Sequence, residues 1–331
     1  MRSKWRMLVS FFVLGLLVSC VTEDDSTIED GNWVRKSSFE GVGRSGAVSF
    51  VIGGKAYVGL GFDGDDYLTD FWSYDADQNF WKQVSDFPGI GRSGAVAFAI
   101  GEKGYVATGY NGEELEEELG DFWEYNSTTD TWTQLEDFGG SARYKAVAFA
   151  LDGVGYVGTG YDGNYLKDFW QYNPATAEWT QVVSLQGEKR RGAVSFVADD
   201  YAYILTGTNN GLYESDFWEF GSSDDSWTQL EDVDEDEDNE EVLRTDAVAF
   251  ELDGKGYITV GSFGANQNTT WEYTPGSGVW LEKTAFEGTG RSGAVGFTIN
   301  GRSFVALGQS GSERFDDIWE FLPNETYDED D

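Results

Sequence analysis

Short apolar runs rich in β-branched and aromatic residues alternate with polar turns along most of this chain. Residues 95–98 form one such run, and residues 104–109 form a second after a turn containing Gly101. A polar loop leads to residues 121–125, and another short turn leads to residues 131–135. Runs of this length bounded by Gly and polar residues are typical of strands. The pattern therefore predicts four short strands in succession.

The same four-strand pattern occurs six times. An Arg-Ser-Gly-Ala sequence opens the first strand at residues 44–47, and full or looser copies begin 48, 51, 47, 54 and 47 residues further on in turn. An aromatic residue of the third strand stands seven residues before a Trp of the fourth, as Tyr125 does before Trp132. Four-stranded repeats of this length predict the blades of a β-propeller.

The two ends of the repeat region complement each other. The last repeat stops near Trp319 with no fourth strand after it, and an unmatched strand around Trp33 precedes the first repeat. We expect this N-terminal strand to join the last blade and close the ring, which protects open sheet edges. The prediction is an all-β, six-bladed propeller over residues 32–322, followed by an acidic tail at 323–331.

Residues 1–20 have the pattern of a signal peptide. Three basic residues precede an apolar stretch at 7–18, which is too short to span a bilayer. The ending Leu-Val-Ser-Cys resembles a bacterial lipobox, so we expect lipidation at Cys20 and an acidic tether at 21–31. An ordinary secretory signal with an incidental Cys is the alternative. The expected location is the outer membrane of a Gram-negative bacterium, facing the periplasm or the surface, with the lipid as the sole membrane contact.

Composition excludes several classes of function. The 331 residues contain 22 Lys and Arg, 60 Asp and Glu, one Cys and no His, for a net charge of -38. Nucleic acid is not an expected partner, because phosphate binding needs an excess of basic residues. Mechanisms and metal sites that use imidazole are excluded, and one Cys cannot form an internal disulfide. We expect a monomer.

These features resemble the kelch repeat, which has an Arg-led first strand, a Gly-ended second strand, and a Tyr and Trp separated by six residues. The resemblance covers roughly residues 33–322. One departure is that the kelch diglycine is a single Gly here, and we expect the residue before it to extend the second strand. That residue is Leu60, Thr108, Thr159, Thr206, Val260 or Leu307. Kelch-like propellers include galactose-oxidase-type enzymes, but their copper ligands include His, which this chain lacks.

The propeller interpretation brings the repeated arginines to one face, near the central channel. They are Arg44, Arg92, Arg143, Arg190, Arg244 and Arg291, and Arg314 lies in the last loop of the same face. Two interpretations are open. The arginines could form an anion site, or each could pair with the Asp that opens the third strand in five repeats. Arg244 faces Thr269 instead of an Asp, so we expect it to be the least paired.

Aromatic residues in the loops of this face are candidates for sugar binding. They are Phe62, Tyr67, Tyr110, Tyr161, Tyr165, Tyr213 and Phe263. Packing between blades is an equal alternative. Because the loops of the fourth to sixth repeats diverge most, we place the ligand near Tyr213 and Phe263.

Two acidic runs, at residues 113–118 and 231–241, interrupt the repeats. The second faintly resembles a calcium loop but lacks its Gly, so we expect solvated charge, with weak Ca²⁺ binding as the alternative and no other cofactor. The predicted function is a non-catalytic module that binds a glycan or a protein. The alternative is an epimerase or mutarotase of an acidic, sialate-type sugar, which the kelch resemblance implies would use Arg and a carboxylate.

Overall fold

The computed structural model describes residues 30–113, 117–234 and 241–328. Their regular structure is almost entirely β-strand, arranged as six four-stranded antiparallel sheets. The prediction of an all-β, six-bladed propeller is confirmed. Contacts between the first strands of successive sheets run around the ring, and the sixth contacts the first.

Blades are numbered in chain order, and the strands of each are given from the first, innermost, to the fourth. Blade 1 contains Val48–Ile52, Lys55–Gly59, Phe71–Asp75 and Phe80–Val84. Blade 2 contains Val96–Ile100, Lys103–Ala107, Phe122–Asn126 and Thr131–Gln134. Blade 3 contains Val147–Leu151, Val154–Gly158, Phe169–Asn173 and Glu178–Val182.

Blade 4 contains Val194–Ala198, Tyr201–Leu205, Trp218–Gly221 and Ser226–Gln229. Blade 5 contains Val248–Leu252, Lys255–Thr259, Thr270–Tyr273 and Trp280–Lys283. Blade 6 contains Val295–Ile299, Arg302–Ala306, Ile318–Thr326 and Asp30–Arg35. Four small hairpins follow second strands: Tyr110–Asn111 with Glu117–Glu118, Thr208–Asn209 with Leu212–Tyr213, Ser262–Phe263 with Ala265–Asn266, and Gln309–Ser310 with Glu313–Arg314.

The seven-residue aromatic step is the hairpin between the third and fourth strands. Tyr125 lies directly opposite Trp132, with their ring centroids 4.9 Å apart. Tyr57 of the preceding blade packs on Tyr125 at 5.3 Å. Buried aromatic side chains each remove about 150–250 Å² from water, so contacts of this kind hold neighbouring blades together.

The strand Asp30–Arg35 lies in blade 6. Trp33 is opposite Phe321 and Arg35 is opposite Trp319, which reproduces the aromatic pairing of the other blades. Trp33 is fully buried, and its indole nitrogen donates to the Thr284 carbonyl at 3.2 Å. The partner strand continues to Thr326, past the predicted propeller boundary at residue 322.

The residues before the single Gly do not extend the second strands, contrary to our expectation. They end those strands in a left-handed conformation, with φ between 50° and 65° at Leu60, Thr108, Thr159, Thr206, Val260 and Leu307. This conformation is unfavourable for residues other than Gly, and most of all for β-branched ones. The carbonyl of each accepts a hydrogen bond from the repeated Arg of the same blade, at 2.8–3.2 Å. That bond is the feature that offsets the strain.

Candidate functional site

The six repeated arginines lie inside the propeller. All six are 0% exposed. Each Nε donates to the carbonyl two residues earlier at 2.9–3.2 Å. Each Arg carbonyl accepts from the Gly that follows the second strand of the preceding blade, with Gly61 bonded to Arg92 and Gly308 to Arg44 among them. The side chains therefore join segments of one repeat, and the main-chain carbonyls join neighbouring blades.

Five of the arginines pair with the Asp that opens the third strand. The pairs are Arg44–Asp70, Arg92–Asp121, Arg143–Asp168, Arg190–Asp216 and Arg291–Asp317. The indole nitrogen of the Trp two residues after each Asp donates to the same carboxylate at 2.6–2.9 Å. Burial alone would raise the pKa of the Asp121 carboxyl group, but the hydrogen bonds and the charge of Arg92 have a larger effect in the opposite direction. The pKa of Asp121 is therefore lowered.

The hypothesis that these arginines form an anion site at the channel mouth does not agree with this geometry. The guanidinium groups of Arg44, Arg92, Arg143, Arg190, Arg244 and Arg291 have no exposed surface for a ligand to contact. The alternative interpretation, pairing with Asp, describes five of them. Repetition in all blades marks a residue that builds the blade.

Arg244 is the one repeated Arg without a carboxylate partner among the described residues, but it is not free. It donates to the carbonyls of Val242, Val260 and Thr269, and to the Thr269 hydroxyl at 2.9 Å. Burial lowers its pKa to about 10, which keeps it charged near neutrality. In the same blade the buried indole nitrogen of Trp271 has no hydrogen-bond partner among the described residues.

The channel mouth is surrounded by a ring of six main-chain hydrogen bonds. The third residue of each Arg-led motif donates to the carbonyl of its counterpart in the preceding blade at 2.8–2.9 Å, and blade 1 donates to blade 6. The six residues all have φ between 52° and 65°: Gly46, Gly94, Lys145, Gly192, Asp246 and Gly293. A left-handed backbone explains why four of them are Gly.

The two exceptions in this ring form an ion pair across it. The Nζ atom of Lys145 lies 2.7 Å from Oδ2 of Asp246, and the two side chains are 37% and 23% exposed. These two residues lie on either side of Gly192 in the ring, so both charged groups are on one side of the mouth. The cavity there has a volume of about 230 Å³ and is lined by these two side chains, Phe62, the Gln309 amide, glycines, and Ser45, Ser93 and Ser292.

A row of half-buried rings extends from Phe62, which lines this cavity, across blades 1 to 3, and we call it the aromatic arc. Neighbouring ring centroids are 4.7–6.4 Å apart along the order Phe62, Tyr67, Tyr110, Tyr144, Tyr161 and Tyr165. The same rings therefore pack between neighbouring blades and remain partly exposed. Arg314 lies at one end of the arc, with its guanidinium carbon 5.9 Å from the Phe62 centroid.

Arg191 lies at the other end of the arc. Its Nη1 donates to the Tyr144 hydroxyl at 2.7 Å, and its guanidinium carbon is 5.0 Å from the Tyr161 centroid. Burial raises the pKa of Tyr144, although the charge of Arg191 acts in the opposite direction, so the phenol stays neutral.

Tyr213 and Phe263, where we placed the ligand, contact each other on the opposite side of the mouth. Their centroids are 4.6 Å apart, and both are partly exposed. The Tyr213 hydroxyl accepts from the main-chain nitrogen of Gly264 at 2.8 Å. This pair is smaller than the aromatic arc and is separate from it.

The repeat pattern did not predict Tyr144, Lys145, Arg191 or Asp246 as site residues. The signal was present in the looser copies of the motif, where Arg-Tyr-Lys-Ala, Arg-Arg-Gly-Ala and Arg-Thr-Asp-Ala replace Arg-Ser-Gly-Ala. Those substitutions fall on the residues that surround the mouth.

Some predicted features lie wholly or partly outside the described residues. Cys20 and the signal peptide do, as do residues 114–116 and 235–240 of the acidic runs and residues 329–331 of the tail. Within the described ranges, no cluster of three or more acidic or Cys side chains is arranged to hold a metal ion. No helix in those ranges has the length and apolar character needed to cross a membrane.

Comparison with known proteins agrees with this architecture. The KLHDC2/KLHL20/DRC7 Kelch-repeats domain matches residues 28–207, which is more than half of the chain. The solved structure of YjhT is similar over 86% of this chain and 96% of its own, with a TM-score of 0.74 and 16% sequence identity. A search of curated proteins found no match. The chain belongs to the Kelch-repeat family.

Proposed function

We propose that this propeller is a non-catalytic carbohydrate-binding module, with its ligand at the channel mouth beside the aromatic arc. The supporting observation is the arc itself, six half-buried rings in a row that starts at Phe62 in the wall of a cavity of about 230 Å³. Sugars offer apolar C–H faces and hydroxyl groups together. The Tyr rings pack against the C–H faces of the sugar. The protein hydroxyl groups and the Gln309 amide at the mouth form hydrogen bonds with the sugar hydroxyls.

A glycan array followed by calorimetry on the bound glycans tests the proposal. Tyr161→Ala should weaken binding at least about fivefold, since an aromatic contact with the ligand contributes about 1 kcal/mol or more. The matched control is Tyr201→Ala, which removes a 43% exposed Tyr from the hairpin between the first and second strands of blade 4, away from the arc. Equal losses in both variants, or binding of proteins but no glycan, would contradict the proposal.

A second candidate function, epimerisation or mutarotation of an acidic sugar, is favoured by one observation. Glu214 follows Tyr213 on the loop face, and burial raises the pKa of its carboxyl group. A carboxyl group with a raised pKa is suited to general acid–base chemistry. NMR can measure the rate at which the anomers of sialic acid interconvert. If the protein accelerates this interconversion and Glu214→Gln removes the acceleration, the catalytic function would replace the binding proposal.

We further propose that Cys20 attaches the propeller to the outer membrane. The basic and apolar pattern of residues 1–18 and the Leu-Val-Ser-Cys ending support this. Metabolic labelling with palmitate should mark the wild-type protein, and Cys20→Ala should abolish the label. Labelling that persists in the variant would contradict the proposal.

A further inference from the structure

Arg191 occupies a position that surrounds the channel mouth in every blade. The residue after each buried Arg pairs its main chain with the loop after the second strand, as Arg191 does with Thr208. The six residues at this position are Ser45, Ser93, Tyr144, Arg191, Thr245 and Ser292. Arg191 is therefore the single cation among them, and it lies next to the single aromatic residue.

The guanidinium group of Arg191 is held by rings. Its carbon lies 5.7, 5.0 and 5.5 Å from the centroids of Tyr144, Tyr161 and Tyr165. The hydrogen bond to the Tyr144 hydroxyl fixes the orientation of Nη1. A guanidinium fixed in this way loses less conformational entropy when it binds a ligand than a free side chain would.

The charge of Arg191 has no partner among the described residues. Its neighbour Arg190 pairs with Asp216, and Lys145 pairs with Asp246. Arg191 makes no ion pair within the described ranges, and its one side-chain hydrogen bond there uses one of five N–H groups. In a chain with 60 acidic residues, a partly exposed guanidinium that has no carboxylate partner among the described residues is available for a ligand.

We propose that Arg191 and the rings of Tyr144, Tyr161 and Tyr165 form a subsite for the carboxylate of a singly charged sugar, such as a hexuronic acid. The inference rests on the proposed function and assigns a ligand class to it. The planar fork of Arg matches a carboxylate, while the Tyr rings accept the adjoining C–H face of the sugar. The net charge of -38 disfavours a polyanionic chain, whose remaining charges would be repelled.

NMR titration with glucuronate and with its uncharged methyl ester tests the subsite, because the two sugars differ in one charge. Wild-type protein should bind the acid about tenfold more tightly, since a hydrogen bond to a charged group contributes at least about 1.5 kcal/mol. Arg191→Gln should reduce the affinity for the acid to that for the ester and leave the ester unchanged. Arg191→Lys should retain part of the preference. Lys82→Gln, a charge loss on an exposed outer strand, is the matched control and should have no effect.

Three results would overturn the subsite. The first is equal affinity of the wild-type protein for the acid and the ester, and the second is binding of neither sugar. Neither of these results decides the proposed function, which the glycan array tests separately. Binding of glucose 6-sulfate as tightly as glucuronate would show a general anion site in place of a carboxylate subsite. Unchanged thermal unfolding of Arg191→Gln should accompany the loss of preference, which separates recognition from folding.

Discussion

Arg190 and Arg191 are adjacent in the chain and lie in opposite environments. Arg190 is fully buried and donates to the Glu188 and Thr206 carbonyls and to Asp216. Arg191 is partly exposed, packs against three Tyr rings, and has no ion-pair partner among the described residues. Arg190 recurs in all six blades, whereas Arg191 occurs in one. The repeated positions therefore build the propeller, and the positions that depart from the repeat carry the chemistry specific to this protein.

The largest expected effect is the loss of stability on removing Arg190, and removing Arg191 provides the comparison. Arg190→Gln should lower the free energy of unfolding by about 3 kcal/mol or more, because it leaves Asp216 without its buried partner. Arg191→Gln should lower it by less than about 1 kcal/mol, as for other exposed charges. Urea unfolding measures both. Similar losses in the two variants would invalidate the comparison.

The pH dependence of the buried pairs gives the next largest effect. Asp121→Asn should cost about 2 kcal/mol at neutral pH, since it removes the charge that Arg92 binds. The folded-state pKa of Asp121 is lowered below the unfolded value of about 3.9, so its contribution is present above that pH and is lost as the pH falls through the folded pKa.

Urea unfolding of wild type and Asp121→Asn at several pH values isolates this group. The difference between them should be constant from about pH 5 to 8 and shrink below about pH 4. A difference that persists at pH 2 would show that the cost of the substitution is not the lost charge.

Blade 5 provides the opposite test, because its Asp is missing. Thr269→Asp should offer a carboxylate to Arg244 and to the indole nitrogen of Trp271, as the other blades do. Satisfying a buried donor and a buried charge should raise the free energy of unfolding by about 1–2 kcal/mol. Thr269→Asn serves as a control that lacks the charge. A destabilised Thr269→Asp protein would mean that blade 5 has repacked around Thr.

The ion pair across the mouth should have the smallest effect. A double-mutant cycle with Lys145→Gly and Asp246→Gly should give a coupling energy of about 0.5 kcal/mol, typical of partly exposed pairs. Each Gly also relieves a left-handed backbone, so the single variants should lie within about 1 kcal/mol of wild type. A coupling above about 2 kcal/mol would place this pair with the buried arginines.

The repeated part of the fold could be predicted from sequence, because each blade restates the same pattern. The seven-residue step predicted strand pairing that the structure contains at Tyr125 and Trp132. The left-handed backbone at Val260 could not be predicted in this way, since β-branched residues favour strands and the bond from Arg244 that offsets the strain is a tertiary contact.

The candidate site was less accessible to sequence reasoning. Arg191 stood inside an Arg-Arg-Gly-Ala copy of the repeat, where it looked like a variant of a structural motif. Lys145 and Asp246 are 101 residues apart, and the Gly residues that mark the other positions of the backbone ring do not show which positions face each other. Their contact follows from the number of blades and the register between them, which only coordinates supply.

The six-membered ring of main-chain bonds at the channel mouth has an electrostatic consequence. Its N–H and C=O bonds run head to tail around the axis, so their dipole components in the plane of the ring cancel as vectors, unlike the aligned dipoles at a helix terminus. Within that plane the ring favours neither sign of ion. A difference in polarity between one side of the mouth and the other must therefore come from side chains that break the sixfold symmetry.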